Sequence, residues 1–542
     1  MTMEENAEST GGVRSLDPRM VRIAVAFMLI LHCGLAWFAR QPGILTGQDD
    51  TEYLSLAESL RHGTYRELFR VDAPLHYQYP PGYPALLALW GAVAGDQFDA
   101  LVIVNIVTSA AALLVVFLAL RRLQGDIVAL AALGLLAIHP ELIAAAGSLM
   151  SEPLYTLASL TALLLLLRPS PTPRQLAAAG AAALFAAMTR TAGITLVAAL
   201  LLHWMLERRW KLVLAPAILA TLVLGAWLIW GALDPEQQPG SSYIAELRAL
   251  LSGTAWTGPL VERSLGAVRW YLTTGLPWNM ALPTVPGTAI DNVTGLALLL
   301  GFGGAGAFLW LQRWRVATLY LLAYALLLAV WLWAVARFAL PIVPLLLCAM
   351  LTGAAAAGRR LRQGVWVPLT VVLIMGVGAA PRTAALLKER TACERAGEWP
   401  PANCISPLQA SYFDALRWID ANLPEDAVFL TAKTGALWYY TGRKSVSYEA
   451  ATTREPQEFV PWLRRQGAGW VILSSLWIQE PSRLAPRIAA NCNHLVLQAA
   501  FSPGTWLFRV AEATPAEAAA TCAAAAEHIR MNEARGEWGD PP

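Results

Sequence analysis

The chain has 542 residues, of which 56% are hydrophobic and only 14% charged, and its mean hydropathy is +0.47. That balance excludes an ordinary soluble enzyme and points to a polytopic membrane protein. A net charge of +2, with no basic stripe interleaved with aromatics, gives no reason to expect a nucleic-acid partner.

Taken in order, residues 1–20 read as a polar, disordered cytoplasmic tail carrying Arg14 and Arg19. Residues 21–38 form an apolar run too long and too poorly flanked by small residues for a cleaved signal, so they read as a signal anchor. Arg14, Arg19 and Arg22 place its start inside and the next loop outside. Further apolar segments span 100–120, 127–146, 153–167, 175–188, 193–206, 212–233, 293–311, 316–335, 338–357 and 365–380. The inward ends carry Arg121-Arg122, Arg168 with Arg174, Arg208-Arg209 with Lys211, Arg313 with Arg315, and Arg359 through Arg362. About eleven spans result, several shorter than the roughly 20 residues that a full crossing prefers. The expected topology is N-terminus in and C-terminus out, in the cytoplasmic membrane, with a long outer loop over 234–292. Asn292-Val293-Thr294 matches a glycosylation sequon at the end of that loop.

Residues 382–542 are expected to form a soluble α/β domain, following a transmembrane domain over 21–381 whose outer loop covers 40–99. Helices are predicted at 413–422 and 456–465, with a helical turn at 435–440. Strands are predicted at 427–431, 446–448, 470–473, 494–501 and 505–510, the last two meeting at Ser502-Pro503-Gly504. An Ala/Glu-rich helix begins at Thr514-Pro515 and frays near Gly536. No G-x-G-x-x-G or P-loop follows a strand, so no nucleotide site is indicated. Of the six cysteines, Cys33 and Cys348 lie in apolar runs. Cys393, Cys404, Cys492 and Cys522 allow three pairings, with Cys393–Cys404 the favoured local one, and disulfides there require an oxidising compartment.

The polar loop 46–84 carries the chemistry. Asp49, Asp50 and Glu52 lie beside lipid, where a carboxylate is costly unless solvated, paired or used. Tyr53 and Ala57 follow at helical spacing, so the acids also suit the start of an interfacial helix on capping grounds alone. The run Tyr79–Pro84 reads Y-P-P-G-Y-P and holds Tyr79 and Tyr83. Glu152 precedes Pro153, a suitable first helical residue, and can be read as a neighbour of the cap or as a site acid. Arg190 and Arg337 fall on the outer side, against the charge bias, and Arg337 opens a helix where a cation is disfavoured. An anionic partner explains both, and guanidinium suits phosphate. Two carboxylates and two arginines on one side fit group transfer from a phosphorylated lipid: a base for an acceptor hydroxyl, cations for the departing phosphate. His76 and His139 read as structural, and no His/Cys cluster signals zinc. No cofactor is assigned from the sequence, and a divalent cation bridging a carboxylate and phosphate is compatible with these acids. The rival reading is a transporter or lipid flippase with the arginines as a gate. Transporters gather their charges at mid-membrane within paired repeats, and neither feature is present in the sequence.

These motifs resemble the GT-C class of integral-membrane glycosyltransferases, in the branch of protein O-mannosyltransferases and the aminoarabinose transferase of lipid A. The matching stretches are D-D-x-x-Y-x-x-x-A at Asp49, Asp50, Tyr53 and Ala57, P-P-G-Y-P at Pro80–Pro84, and S-E-P-L around Glu152. R-T-A-G at Arg190, R-F-x-L-P-x-x-P from Arg337 to Pro344, and A-L-R-W-I-D-A-N-L-P opening the C-terminal domain complete the likeness. The resemblance implies a polyprenyl-phosphate sugar donor and a lipid, glycan or protein acceptor on the outer face. It implies Asp49 as catalytic base with Asp50 beside it, and Glu152 as a second acid. Arg190 and Arg337 would contact the donor phosphate, and Tyr53, Tyr79 and Tyr83 would bind substrate. The first acidic pair of the class is often Asp-Glu, whereas here it is Asp-Asp.

Overall fold

Backbone polar groups in hydrocarbon must be satisfied within their own segment, so the apolar runs fold as helices. The computed structural model describes residues 16–44, 49–168, 170–232, 258–282, 295–331, 334–394, 405–476 and 480–533. Among these, five helices are long and apolar enough to cross a membrane: Pro18–Phe38, Phe98–Gln124, Gly295–Arg313, Ala336–Arg360 and Trp366–Cys393. The pair Asp126–Ala137 and Pro140–Ala146, bent by 61°, makes a sixth. Shorter apolar helices include Glu152–Leu165, Thr191–Leu206 and Arg315–Val330. Every apolar span of the sequence reading has a helix at its centre. The chain is a multi-pass membrane protein.

The sequence tyrosines and leucines on facing stripes make its core, where Leu113, Phe117, Tyr155, Leu163, Tyr320 and Leu347 are buried together. On the outside, Ile23, Phe27 and Ile30 stay exposed at helical spacing, as do Leu373 and Val377. Such stripes belong on a helix whose solvent is lipid. Three elements of the membrane region differ from the sequence reading. Part of the loop expected over 234–292 is helical, as Gly258–Trp270, Tyr271–Gly275 and Leu276–Asn279. Gly82–Ala94 is an apolar helix inside the loop expected over 40–99, too short to have counted as a span. The last helix runs unbroken from Trp366 to Glu394, past Pro381 and Arg382. It continues because that stretch is still held on one face: the Thr383 hydroxyl donates to the Ile138 carbonyl at 2.6 Å.

Beyond it lies the α/β region. Its strands are β1 (Val428–Leu430), β2 (Lys444–Ser445), β3 (Trp470–Ser474), β4 (Leu495–Phe501) and β5 (Thr505–Val510). They form one sheet in the order β2-β1-β3-β5-β4, parallel across the first three and antiparallel across the last three. The period of two sends Val471 and Leu473 to one face with Phe459 and Ile488, and Ile472 to the other with Tyr412 and Leu416. Helices therefore cover both faces. The strand expected at 446–448 lies instead at Lys444–Ser445. Ser447 caps the helix Tyr448–Thr452 by accepting from the Ala450 N–H, which takes residues 448 onward out of the sheet.

Cys492 and Cys522 form a disulfide, and Cys393 is disulfide-bonded too, whereas Cys33 and Cys348 are free. Cys404, the sequon at 292–294, Gly536 and residues 1–15 lie outside the described residues.

The α/β region sits directly on the loop that follows the first membrane helix. The Val71 N–H donates to the Ser445 carbonyl and the Ser445 N–H to the Phe69 carbonyl, both at 3.0 Å, so the loop pairs with the edge strand β2. The helix Thr434–Thr441 lies against the helix Asp49–Arg61, and a Cβ on Gly435 would collide with the Thr51 side chain. Only glycine permits that approach. Gly435→Val is therefore expected to destabilise the chain by about 1–3 kcal/mol. Hydrogen exchange at the amides of residues 51–55 should rise in the same variant, and unchanged exchange there would argue against this contact.

Candidate active site

Helix Asp49–Arg61 begins with Asp49, Asp50 and Glu52, which place three carboxylates at its favourable N-terminal end. Asp49 is the most engaged. Its Oδ1 accepts from the Tyr79 hydroxyl at 3.0 Å, and its Oδ2 pairs with Nη2 of Arg337, 288 positions away. Arg337 opens the short helix Ala336–Ala339 at the start of a membrane span, so its cation faces an unfavourable dipole that Asp49 offsets.

Tyr79 is fixed from behind. Its N–H donates to His76 Nε2 at 2.8 Å, while His76 Nδ1 lies 2.9 Å from Glu67 Oε1. With Nε2 accepting, the ring proton sits on Nδ1 and points at Glu67. His76 is thus structural, as expected. The Tyr53 ring packs against both neighbours, 5.1 Å from Tyr79 and 4.8 Å from Tyr83 between centroids. Tyr83 donates to Asn105 Oδ1 at 3.0 Å, and Asn105 Nδ2 donates to the Met150 carbonyl at 2.9 Å. One buried asparagine therefore ties the tyrosine loop to the turn before Glu152.

Glu152 starts the helix Glu152–Leu165 and is 3% exposed. Arg190 Nη1 lies 2.8 Å from its Oε1 and donates to Ser151 Oγ at 2.9 Å, and Ser151 Oγ is 3.0 Å from the Tyr53 hydroxyl. The Arg190 contact to Glu152 has the distance of an ion pair without hydrogen-bond geometry, so neither carboxylate oxygen of Glu152 receives a hydrogen bond among the described residues. A buried acid in that condition is under-satisfied and ready to accept from a ligand. Gly82, in P-P-G-Y-P, lets the loop close on this pair: a Cβ there would stand 2.6 Å from the Met188 carbonyl, two residues before Arg190.

All eight residues singled out from the sequence occupy this region, seven of them in one network. Asp50 is the exception: it turns away on its helix, accepts from the Thr51 N–H at 2.8 Å and is 2% exposed. Sequence reasoning missed several partners. Phe338 lies between the guanidiniums, its ring 5.4 Å from Arg337 and 6.0 Å from Arg190. Ser151 and Phe338 sit inside recognised motifs, next to Glu152 and Arg337, and that adjacency was the available signal. Lys433 is the other omission: it reaches the acids from the α/β region, and its charge acts on Asp50 and Asp49.

Burial raises the Asp49 carboxyl, but the Arg337 guanidinium and the Tyr79 hydroxyl overcome it and hold the group below the usual range. Burial pushes Asp50 up to about 6, with the Asp49 charge adding to the effect and the Thr51 N–H and Lys433 opposing it. A carboxyl raised above its ordinary 3.8 favours the protonated fold, so that stability is present at low pH and lost as pH rises through about 6. Relative to Asp50→Asn, the parent chain should gain thermal stability as pH falls from about 7 toward 4. Parallel melting profiles of the two over that range would contradict this reading.

Among the described residues, no three of His, Cys, Asp and Glu converge in a metal-holding group, and both oxygens of Asp49 are engaged by Tyr79 and Arg337.

The sequence profile of the dolichyl-phosphate-mannose-protein mannosyltransferase family matches residues 78–230, which include Tyr79, Tyr83, Glu152 and Arg190. No curated protein sequence matches the chain. Among solved structures it is similar to ArnT from Cupriavidus metallidurans in the apo state, with 16% identity over 91% of this chain and 99% of that one, at a TM-score of 0.55. It is equally similar in fold to the Archaeoglobus fulgidus oligosaccharyltransferase tethered with an acceptor peptide, with 15% identity over 92% and 74% of the two chains and a TM-score of 0.55. Agreement over nine-tenths of the chain, membrane helices and α/β region together, fixes the architecture: this protein has the GT-C fold of integral-membrane glycosyltransferases.

Proposed function

We propose that the chain transfers a sugar from a polyprenyl-phosphate donor to an acceptor hydroxyl at the outer face of the cytoplasmic membrane, with inversion at the anomeric carbon. The observation that carries this reading is the pairing of Asp49 with Arg337, beside Glu152 and Arg190, from four separate stretches of the chain. The family match to a mannosyltransferase that uses a dolichyl phosphate supports a lipid-phosphate donor. In the reaction, the acceptor oxygen attacks the anomeric carbon and its proton passes to Asp49. The bond from that carbon to the phosphate oxygen breaks, and the polyprenyl phosphate leaves against Arg337 and Arg190. Single displacement inverts the centre. Glu152, whose Oε1 is ion-paired with Arg190 and whose oxygens receive no hydrogen bond among the described residues, holds donor sugar hydroxyls.

The charge pattern supports the orientation. Arg121 and Arg122 close the helix Phe98–Gln124, and Arg359 and Arg360 close Val343–Arg360, while the site lies at the opposite helix ends. On that basis residues 1–20 lie in the cytoplasm, 21–381 form the catalytic membrane domain and 382–542 the outer domain. The test incubates membranes containing the chain with several labelled polyprenyl-phosphate sugars. One label is expected to move to a macromolecular or lipid acceptor, and retention of every label on its donor lipid would end the proposal.

A further inference from the structure

The helix Asp49–Arg61 turns by 100° per residue, so Asp49 and Asp50 face different ways. Asp49 and Tyr53 look toward Arg337. Asp50 heads a second stripe, and below it Leu54, Glu58 and Arg61 line a cavity of about 390 Å³ closed on its far side by Trp438 and Tyr439 of the α/β region. This volume lies in the range of small-ligand clefts.

The lining is specific in its chemistry. Arg61 Nη1 contacts both oxygens of Asp96, at 2.8 and 2.7 Å, so the one cation of the wall is already neutralised. Glu58 remains as an acceptor, and Asp50 and Asp96 both act on the Tyr439 hydroxyl. Two carboxylates in the wall, Glu58 and Asp96, against one guanidinium leave a net negative lining that repels an anion. Two half-buried aromatic rings present flat apolar faces with polar edges, which suits the C–H faces of sugar rings, while the carboxylates suit their hydroxyls. The cavity belongs to neither unit alone: its walls are the catalytic helix and the docked helix Thr434–Thr441.

We infer that this cavity binds the acceptor, and that the acceptor is a neutral, polyhydroxylated glycan segment lying along the Asp50 face while the donor phosphate occupies the Asp49 face. This rests on the transfer reaction proposed above. The helix then separates the two substrates, and a glycan end threaded from the cavity past the helix N-terminus delivers its hydroxyl to Asp49. The α/β region forms half of the acceptor site.

The test uses the full chain in lipid nanodiscs and measures binding of maltotetraose, chitotetraose, an oligogalacturonate of the same length and a lysine-rich serine peptide. Farnesyl phosphate serves as the donor-side probe. At least one neutral oligosaccharide should bind saturably, Trp438→Ala and Glu58→Gln should each weaken it by about ten-fold, and the oligogalacturonate should not bind. Farnesyl phosphate binding should be unchanged in Trp438→Ala and lost in Arg337→Ala. The glutamine variant adds no volume and covers the case in which the tryptophan variant fails to fold. Absence of binding by both neutral oligosaccharides, preference for the anionic glycan or the peptide, or binding indifferent to both substitutions would overturn the assignment. Farnesyl phosphate binding that ignores Arg337→Ala would instead sink the donor reading, with the glycan result left to stand by itself.

Discussion

Replacing Asp49 with Asn is expected to lower sugar transfer by roughly 10²–10⁴-fold, the range for loss of a positioned general base, with membrane insertion and abundance unchanged. Asparagine keeps the shape and still accepts from the Tyr79 hydroxyl, so the loop around Tyr79 should hold its place. What it cannot do is take a proton. The resting carboxylate is held below the usual range by Arg337, which makes it fully ionised at neutral pH and a weak base. A donor phosphate that draws Arg337 away removes the opposing charge and leaves burial to raise the group. On the proposed mechanism, Asp49 therefore becomes basic when the leaving group is in place. The corresponding measurement is the pH profile of kcat/KM in Arg337→Ala, whose acid limb should move to higher pH than in the parent. A limb that stays fixed, or full transfer by Asp49→Asn, would remove Asp49 from proton transfer.

How much of this was legible in the sequence depends on what kind of signal each residue leaves. Arg190 and Arg337 stood out because a cation on the outer side of the expected topology, and one opening a helix, each violate a rule that costs free energy. The structure supplies the anions that these violations called for, as Glu152 and Asp49. Tyr53 and Tyr83 could be placed in motifs, but their edge-on packing could not, since it needs the loop and the helix to meet in space. Lys433 left no trace. It lies in an unremarkable K-T-G stretch, and its importance comes only from the docking of Gly435 on Thr51. The strand at Lys444–Ser445 was misplaced because local pattern cannot weigh a serine cap at 447 against apolar Val446. Apolar periodicity therefore recovered most of the membrane helices, whereas the docking of the α/β region depended on contacts between residues hundreds of positions apart.

Arg337→Ala is expected to cost about 10²–10³-fold in kcat, the scale measured when one donor to a developing negative charge is removed. Arg337→Lys should recover only part of this, because a single ammonium cannot pair a phosphate through two parallel N–H groups. The two variants separate charge from geometry. Alanine also strips Asp49 of its resting partner, so its carboxyl rises with burial and the enzyme loses activity further at mildly acid pH. Lysine keeps a positive charge near Asp49 and should leave that pH dependence close to the parent. The neighbouring guanidinium sharpens the comparison: Arg190 remains in the alanine variant, already paired with Glu152 and 6.0 Å from the Phe338 ring. If Arg190 alone were sufficient for the phosphate, Arg337→Ala would keep kcat within a few-fold of the parent while Arg190→Ala would lose it. The geometry favours the opposite ranking. Only Arg337 is engaged with Asp49, the carboxylate proposed to take the proton, so on this proposal only its movement couples departure of the phosphate to activation of the hydroxyl.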